Sequence, residues 1–170
     1  MPRPTEDDAV FTRTERKVIS MRGEAIHLIT QIESFLDIIL ITSFIKPEYE
    51  NKFYEILMWE DFRLSTKVRL FAKIDLPTEL QAKQKEIVKT LLNEVIPTRN
   101  RYAHLASIIL VHSGVAVSSW VDKGHKMSQI ADKDFKVFRG NCDRVRGMLE
   151  DVFAGILIHS ELTHTAGKQS

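Results

Sequence analysis

The sequence predicts one mainly α-helical bundle carrying a small β-hairpin between its last two helices. Three observations lead there. Apolar residues recur at three- and four-residue steps over most of the chain, the spacing of one helix face. Pro47, Pro77 and Pro97 cut that pattern into helix-length runs. Only from about Val111 does the period fall to two.

Residues 1–13 are polar, include two prolines and read as a flexible N-terminal arm. Residues 14–160 form the single domain, and 161–170 read as a flexible tail. The first helix is expected from about Thr14 to Phe44, with Val18, Met21, Ala25, Leu28, Ile29, Ile32, Phe35, Leu36 and Ile39 inward. Gly23 is a weak point inside it. Ile38-Ile39-Leu40-Ile41 is apolar nearly all round, which suits both a core and a partner chain. The run from Phe35 to Ile45, about 11 residues including Asp37, is too short and too charged to span a membrane. Glu33 and Asp37 lie one turn apart. They form either an exposed polar stripe or an acid that orients Arg99 or His104.

Lys46-Pro47 ends the first helix, with Pro47 suited to the first turn of a short helix over about Glu48 to Trp59. Another follows from about Ser65 or Thr66 to Ile74, where Phe71 reads as core and Lys73 as solvated. Thr78 is the expected N-cap of a helix through about Val95, burying Leu80, Ile87, Val88, Leu91, Leu92 and Val95. Pro97 is expected to kink or end it. Thr98 then caps a motif helix reaching about Leu110, placing Arg99 in an anion-favouring first turn. Val115 to Val121 alternate, Asp122-Lys123-Gly124 turn, and Met127 to Ile130 pair back. Asp132 or Asp134 caps the last helix, with Phe135, Val137, Phe138, Val145, Met148, Leu149, Val152, Phe153, Ile156 and Leu157 inward.

The 170 residues are 44% hydrophobic and 28% charged, with 24 Lys+Arg against 23 Asp+Glu. The net charge of +1 excludes a grossly polybasic nucleic-acid binder but leaves room for a local RNA site. The single cysteine, Cys142, forms no internal disulfide, and the N-terminus is no signal peptide, so a cytoplasmic setting is expected. His159 and His164 lack metal-ligand spacing, and His27, His112 and His125 have no ligand-spaced partners. No Cys-x-x-Cys, Gly-x-Gly-x-x-Gly, Walker loop or Gly-x-Ser-x-Gly elbow is present, so neither metal nor cofactor is expected.

The chemistry concentrates in Thr98-Arg99-Asn100-Arg101-Tyr102-Ala103-His104. On a helical wheel with Arg99 at zero, Asn100 falls at about 100°, Ser107 at about 80° and His104 at about 140°. Tyr102, Leu105, Ala106 and Ile109 fall between about 240° and 340°. An arginine, an amide and an imidazole therefore share a polar arc away from the core, suited to a phosphate-bearing ligand. Arg101 either binds backbone phosphate or is solvated. Tyr102 lies on the core side, with its hydroxyl near enough to the arc to touch substrate.

Arg99-Asn100-x-x-Ala103-His104 resembles the Arg-x(4–6)-His motif of the HEPN superfamily, the "higher eukaryotes and prokaryotes nucleotide-binding" helical domains. The resemblance covers roughly residues 14–160, and three residues match one by one: Arg99, Asn100 and His104. It implies a metal-independent endoribonuclease of toxin–antitoxin or anti-phage type. His104 would be general acid/base, Arg99 the phosphate stabiliser and Asn100 its helper. Arg101 and Tyr102 would bind RNA, and the product would be a 2′,3′-cyclic phosphate with a 5′-OH. It further implies a homodimer that joins two motifs in one cleft, and a cognate antitoxin protein. The alternative is a non-catalytic HEPN-like module binding nucleotide, RNA or a partner protein. The near-neutral charge favours the module, and the intact Arg99 and His104 favour the nuclease.

Overall fold

The computed structural model describes residues 6–45, 47–58, 63–103, 108–112, 115–121, 127–129 and 132–166. These are mainly helical: α1 (Glu6–Phe44), a 3₁₀ turn (Pro47–Tyr49), α2 (Glu50–Met58), α3 (Leu64–Phe71), α4 (Thr78–Thr90), a π-helical segment (Leu91–Val95), α5 (Ile96–Ala103) and α6 (Asp132–Ala166). Between α5 and α6 the backbone of β1 (Ile108–His112), β2 (Val115–Val121) and β3 (Met127–Gln129) pairs antiparallel in sequence order. Ile108 faces Ser119 and His112 faces Val115, while Ser119 also faces Gln129 and Val121 faces Met127. The turn at Asp122-Lys123-Gly124 and Ile130 lie outside the described residues.

The apolar stripe of α1 is the spine of the core. Val18 is buried, and Met21, Ala25, Ile29, Ile32, Leu36, Ile39 and Leu40 form one core with Val68 and Phe71 of α3 and Phe138, Val145, Leu149 and Val152 of α6. Three polar pairs show how α1 and α6 run: Lys17–Asp132, Glu24–Arg139 and Gln31–Arg146. The positions advance by one heptad on each helix in the same direction, so the two long helices are parallel. Lys83–Asp151, Glu86–Arg144 and Glu94–Asn141 run the opposite way and make α4 antiparallel to α6. The α4–α5 run is thus the return leg between them. Gln84 joins α4 to α3: its Nε2 donates to the Phe71 and Ile74 carbonyls at 2.7 and 2.9 Å, satisfying acceptors at the α3 terminus.

Several expectations are corrected. α1 starts at Glu6, ahead of Thr14; the exposed Arg13, Glu15 and Arg16 favour helix without burial, and among the described side chains periodic burial begins at Val18. α6 likewise continues to Ala166, beyond residue 160. Pro77, not Thr78, occupies the N-cap of α4, with no side-chain cap bond. The motif helix does not reach Leu110, since β1 already begins at Ile108; the β-branched Ile108, Ile109 and Val111 suit a strand. Val137 and Leu157, expected inward, are exposed, as is Ile38 in the run read as apolar on nearly all sides. Beyond the run Phe35–Ile45, the helix over Phe11–Phe44 is long and apolar enough to cross a membrane by length and composition alone, with an 18-residue stretch of mean hydropathy 1.5 inside it. The apolar residues responsible are largely those that α1 buries against α3 and α6.

Candidate functional site

The site begins with how Pro97 is accommodated. A proline ring inside an α-helix clashes with the carbonyl four residues back and donates no hydrogen bond. Here the helix widens just before the proline: the Ile96 N–H reaches the Leu91 carbonyl, five residues back. That π segment gives the ring room, so α4 continues through Pro97 into α5. Pro97 therefore does not end the helix, one of the two outcomes expected for it. Thr98 lies inside the helix instead of capping it, and Arg99 does not sit at a free helix N-terminus.

Leu91, Val95 and Tyr102 are all buried, which fixes the rotation of α5. Asn100 and Arg101 are consequently exposed and Arg99 is half-buried, the split between polar and apolar arcs that the wheel predicts. The Arg99 Nη1 donates to Asn100 Oδ1 at 3.2 Å, so these two side chains form one outward unit. Tyr102 is only 1% exposed. Its ring meets Phe135 edge-on at 5.2 Å and leans on Phe138 at 5.7 Å. Burial, followed by the Asp134 carboxylate, pushes its hydroxyl up to about 12. Tyr102 is thus a core residue holding α5 to α6, as its side of the wheel implies. His104 and Ser107 lie outside the described residues.

Behind Arg99 lies a charged cluster. Asp37 on α1 is 2% exposed and Lys67 on α3 is 4% exposed, with Lys67 Nζ at 2.9 Å from Asp37 Oδ2. Glu33, one turn before Asp37 and half-buried, feels the charges of Lys67, Asp37 and Arg99 together. Burial raises both carboxyl groups above their ordinary values; Lys67 pulls each back, and Arg99 also pulls Glu33 back. The exposed-stripe reading therefore fails for Asp37. Asp37 Oδ1 and Arg99 Nε are both buried without a hydrogen-bond partner among the described residues. Lys67 was the residue that sequence reading missed. The signal was available: Leu64, Lys67, Val68 and Phe71 share one helical face, so a lysine stands inside an apolar stripe.

Elsewhere Phe71 is buried and Lys73 exposed, as their pattern implies. Burial pushes the Cys142 thiol up to about 12, leaving it unreactive at neutral pH. Among the described residues no three His, Cys, Asp or Glu side chains are grouped to hold a metal ion. A cavity of about 300 Å³ lined by Ala72, Gln84, Lys85, Val88, Lys89, Leu92 and Asn93 is separate from Arg99 and Asn100. Comparison with protein-family models, curated proteins and solved structures gave no match.

Proposed function

We propose that this chain is a HEPN-like helical domain, with a small β-hairpin between the motif helix and the last helix, acting as a metal-independent endoribonuclease. One observation carries the reading: Arg99 and Asn100 form a hydrogen-bonded outward pair while Tyr102, two positions on, is locked in the core. Arg99 and Asn100 thus lie on the side of the motif helix suited to meet a phosphate.

In this mechanism His104 takes the proton of an RNA 2′-OH, and the 2′-oxygen attacks the adjacent phosphorus. Arg99 stabilises the charge that builds on the phosphoryl oxygens, with Asn100 holding the guanidinium or the phosphate. The bond to the 5′-oxygen breaks, that oxygen receives a proton, and a 2′,3′-cyclic phosphate remains. One Arg and one His are a thin set, so two chains are proposed to pair and share a cleft. A cytoplasmic toxin–antitoxin or anti-phage role, with a cognate antitoxin, belongs to the same proposal.

The second reading is a binding module without catalysis. What supports it is the balance of charge beside the motif, where Glu33 and Asp37 already answer Lys67 and Arg99. The discriminating experiment is purified full-length protein on structured and unstructured RNA with EDTA present. Cleavage leaving cyclic-phosphate ends supports the nuclease. RNA or partner binding with no cleavage replaces it with the module.

A further inference from the structure

We propose that the cavity where the end of α3 meets α4 is a binding site for a small amphipathic carboxylate, an apolar chain or ring bearing one acid group. Lys85 and Lys89 hold the acid, and Ala72, Val88 and Leu92 hold the apolar body. The site is separate from Arg99 and Asn100, and binding there is independent of RNA cleavage.

Charge is sorted around α4. Where it meets α6, Lys83 pairs with Asp151, Glu86 with Arg144 and Glu94 with Asn141. Lys85 and Lys89 line the cavity instead, and neither has an ion pair or hydrogen bond among the described residues. They stand one turn apart, a spacing at which like charges repel. An anion between them turns that repulsion into two attractions. No acid lines the cavity among the described residues. Asn93, four residues beyond Lys89, adds an amide N–H donor to the same row. It lies in the π segment, whose turns take more residues than α turns, so the step from Lys89 to Asn93 drifts less round the helix.

The apolar half of the site is built from side chains at the margin of the core. Val88 and Leu92, one turn apart on α4, are half-buried and pack against the core cluster. Ala72 closes the α3 side with only a methyl group, which leaves room beside them. Gln84 is 8% exposed and gives the cavity a fixed wall. Its Nε2 is held by the Phe71 and Ile74 carbonyls, so the wall is pre-formed and carries no charge. At about 300 Å³ the space has the size of a small-molecule site, mostly apolar with a few convergent polar groups. A carboxylate offers two oxygens to the two ammonium groups. The alcohol of the same body leaves both lysines unanswered, and the amine adds a third like charge.

The test is an NMR titration of the full-length chain with sodium octanoate, 1-octanol and octylammonium chloride, each kept below its aggregation limit. Octanoate binds saturably, one per chain, and shifts the amides of Ala72, Val88, Leu92 and Asn93. An exposed ion pair contributes up to about fivefold in affinity, so two lysines favour octanoate over octanol by about tenfold or more. Octylammonium binds more weakly than octanol. Lys85→Gln combined with Lys89→Gln removes both charges at exposed positions, so the variant folds. It weakens octanoate about tenfold and leaves octanol unchanged. Lys83→Gln, at the α6 contact, leaves octanoate binding as it is. Ala72→Leu fills the cavity from an exposed position and weakens octanoate and octanol alike. Absence of saturable octanoate binding, shifts confined to another part of the fold, equal affinity for octanoate and octanol, or undiminished binding by the double lysine variant each overturn the proposal. None of these readouts involves RNA, so a wild type that cuts nothing removes the proposed nuclease and leaves this site to be decided by the titration.

Discussion

Lys67 Nζ stands 2.9 Å from Asp37 Oδ2 in the interior between α1 and α3, in a site where the other Asp37 oxygen has no hydrogen-bond partner among the described residues. Such a pair specifies how two helices meet more than it stabilises them, because desolvation consumes most of the attraction. Removing one partner exposes the penalty of the other. Lys67→Ala should therefore cost about 3–5 kcal/mol, whereas Asp37→Leu with Lys67→Met should be close to neutral or stabilising. Urea unfolding of the single and double variants checks this. A double variant as unstable as Lys67→Ala would contradict it.

Glu33 gives a pH dependence with an unusual sign for an acid. Burial, the largest cause, raises its carboxyl above the 4.5 of the unfolded chain. The native state then keeps a proton that the unfolded state has released. Its contribution is full below the unfolded pKa and is lost as pH rises through the native one. Wild-type stability should therefore fall, relative to Glu33→Gln, as pH climbs from about 4.5 towards neutrality. Urea midpoints in a pH series measure the difference, and a difference that stays flat across that window would count against the assignment.

Two helical glycines should respond oppositely to alanine. Gly23 is exposed on α1, and a Cβ there meets nothing within 4 Å. Gly23→Ala should stabilise by about 0.5–1 kcal/mol through backbone entropy alone. At Gly155 the added carbon falls 2.6 Å from Leu80 Cδ1 across the α4–α6 contact. Overpacking costs about 1–3 kcal/mol, which outweighs the propensity gain and leaves Gly155→Ala destabilising by roughly 1 kcal/mol. Thermal midpoints of the two variants should move in opposite directions.

The buried face of α1 was legible because Val18 to Leu40 follow one period and one period was enough to place them. The outward set of Asn100 and inward Tyr102 was legible for the same reason. What stayed hidden needed a third dimension. The parallel run of α1 and α6 rests on polar pairs 115 residues apart, which no local window contains. Asp37 looked solvated because its partner Lys67 comes from another helix. Pro97 looked like a break because single-residue propensity has no entry for the π turn that absorbs it.

That turn makes its own prediction. Wide π turns carry one residue more than the α-helix needs, and here Asn93 is an exposed member of the segment. Deleting Asn93 restores α pitch while keeping Leu91 and Tyr102 on the buried side, but it drives the Pro97 ring into the preceding turn. The deletion alone should cost about 3 kcal/mol or more. Combined with Pro97→Ala it should cost much less, since the clash and the missing donor are both gone. Circular dichroism melts of the two variants compare them. Equal losses would show that Pro97 is not what holds the turn open.

The remaining prediction concerns the motif itself. Arg99→Ala should lower RNA cleavage by about 10²–10³ if it stabilises the transferring phosphoryl group. His104→Ala should lower it by about 10²–10⁴ if the imidazole moves the proton. Arg99→Ala should also lower stability, because Arg99 is half-buried and its charge acts on the Glu33 carboxyl. Asn100 is exposed, so Asn100→Ala should leave the unfolding midpoint within about 0.5 kcal/mol while loosening Arg99 and costing less activity than Arg99→Ala. EDTA should leave wild-type cleavage unchanged, since the proposed chemistry draws on the RNA 2′-OH and side chains alone. Single-turnover assays on a short labelled RNA, run beside urea unfolding of each variant, separate the two effects. Folded alanine variants that cut as fast as wild type would move the active site away from this helix. A pure loss of binding, with normal turnover at saturating RNA, would leave Arg99 as a binding residue and not a transition-state stabiliser.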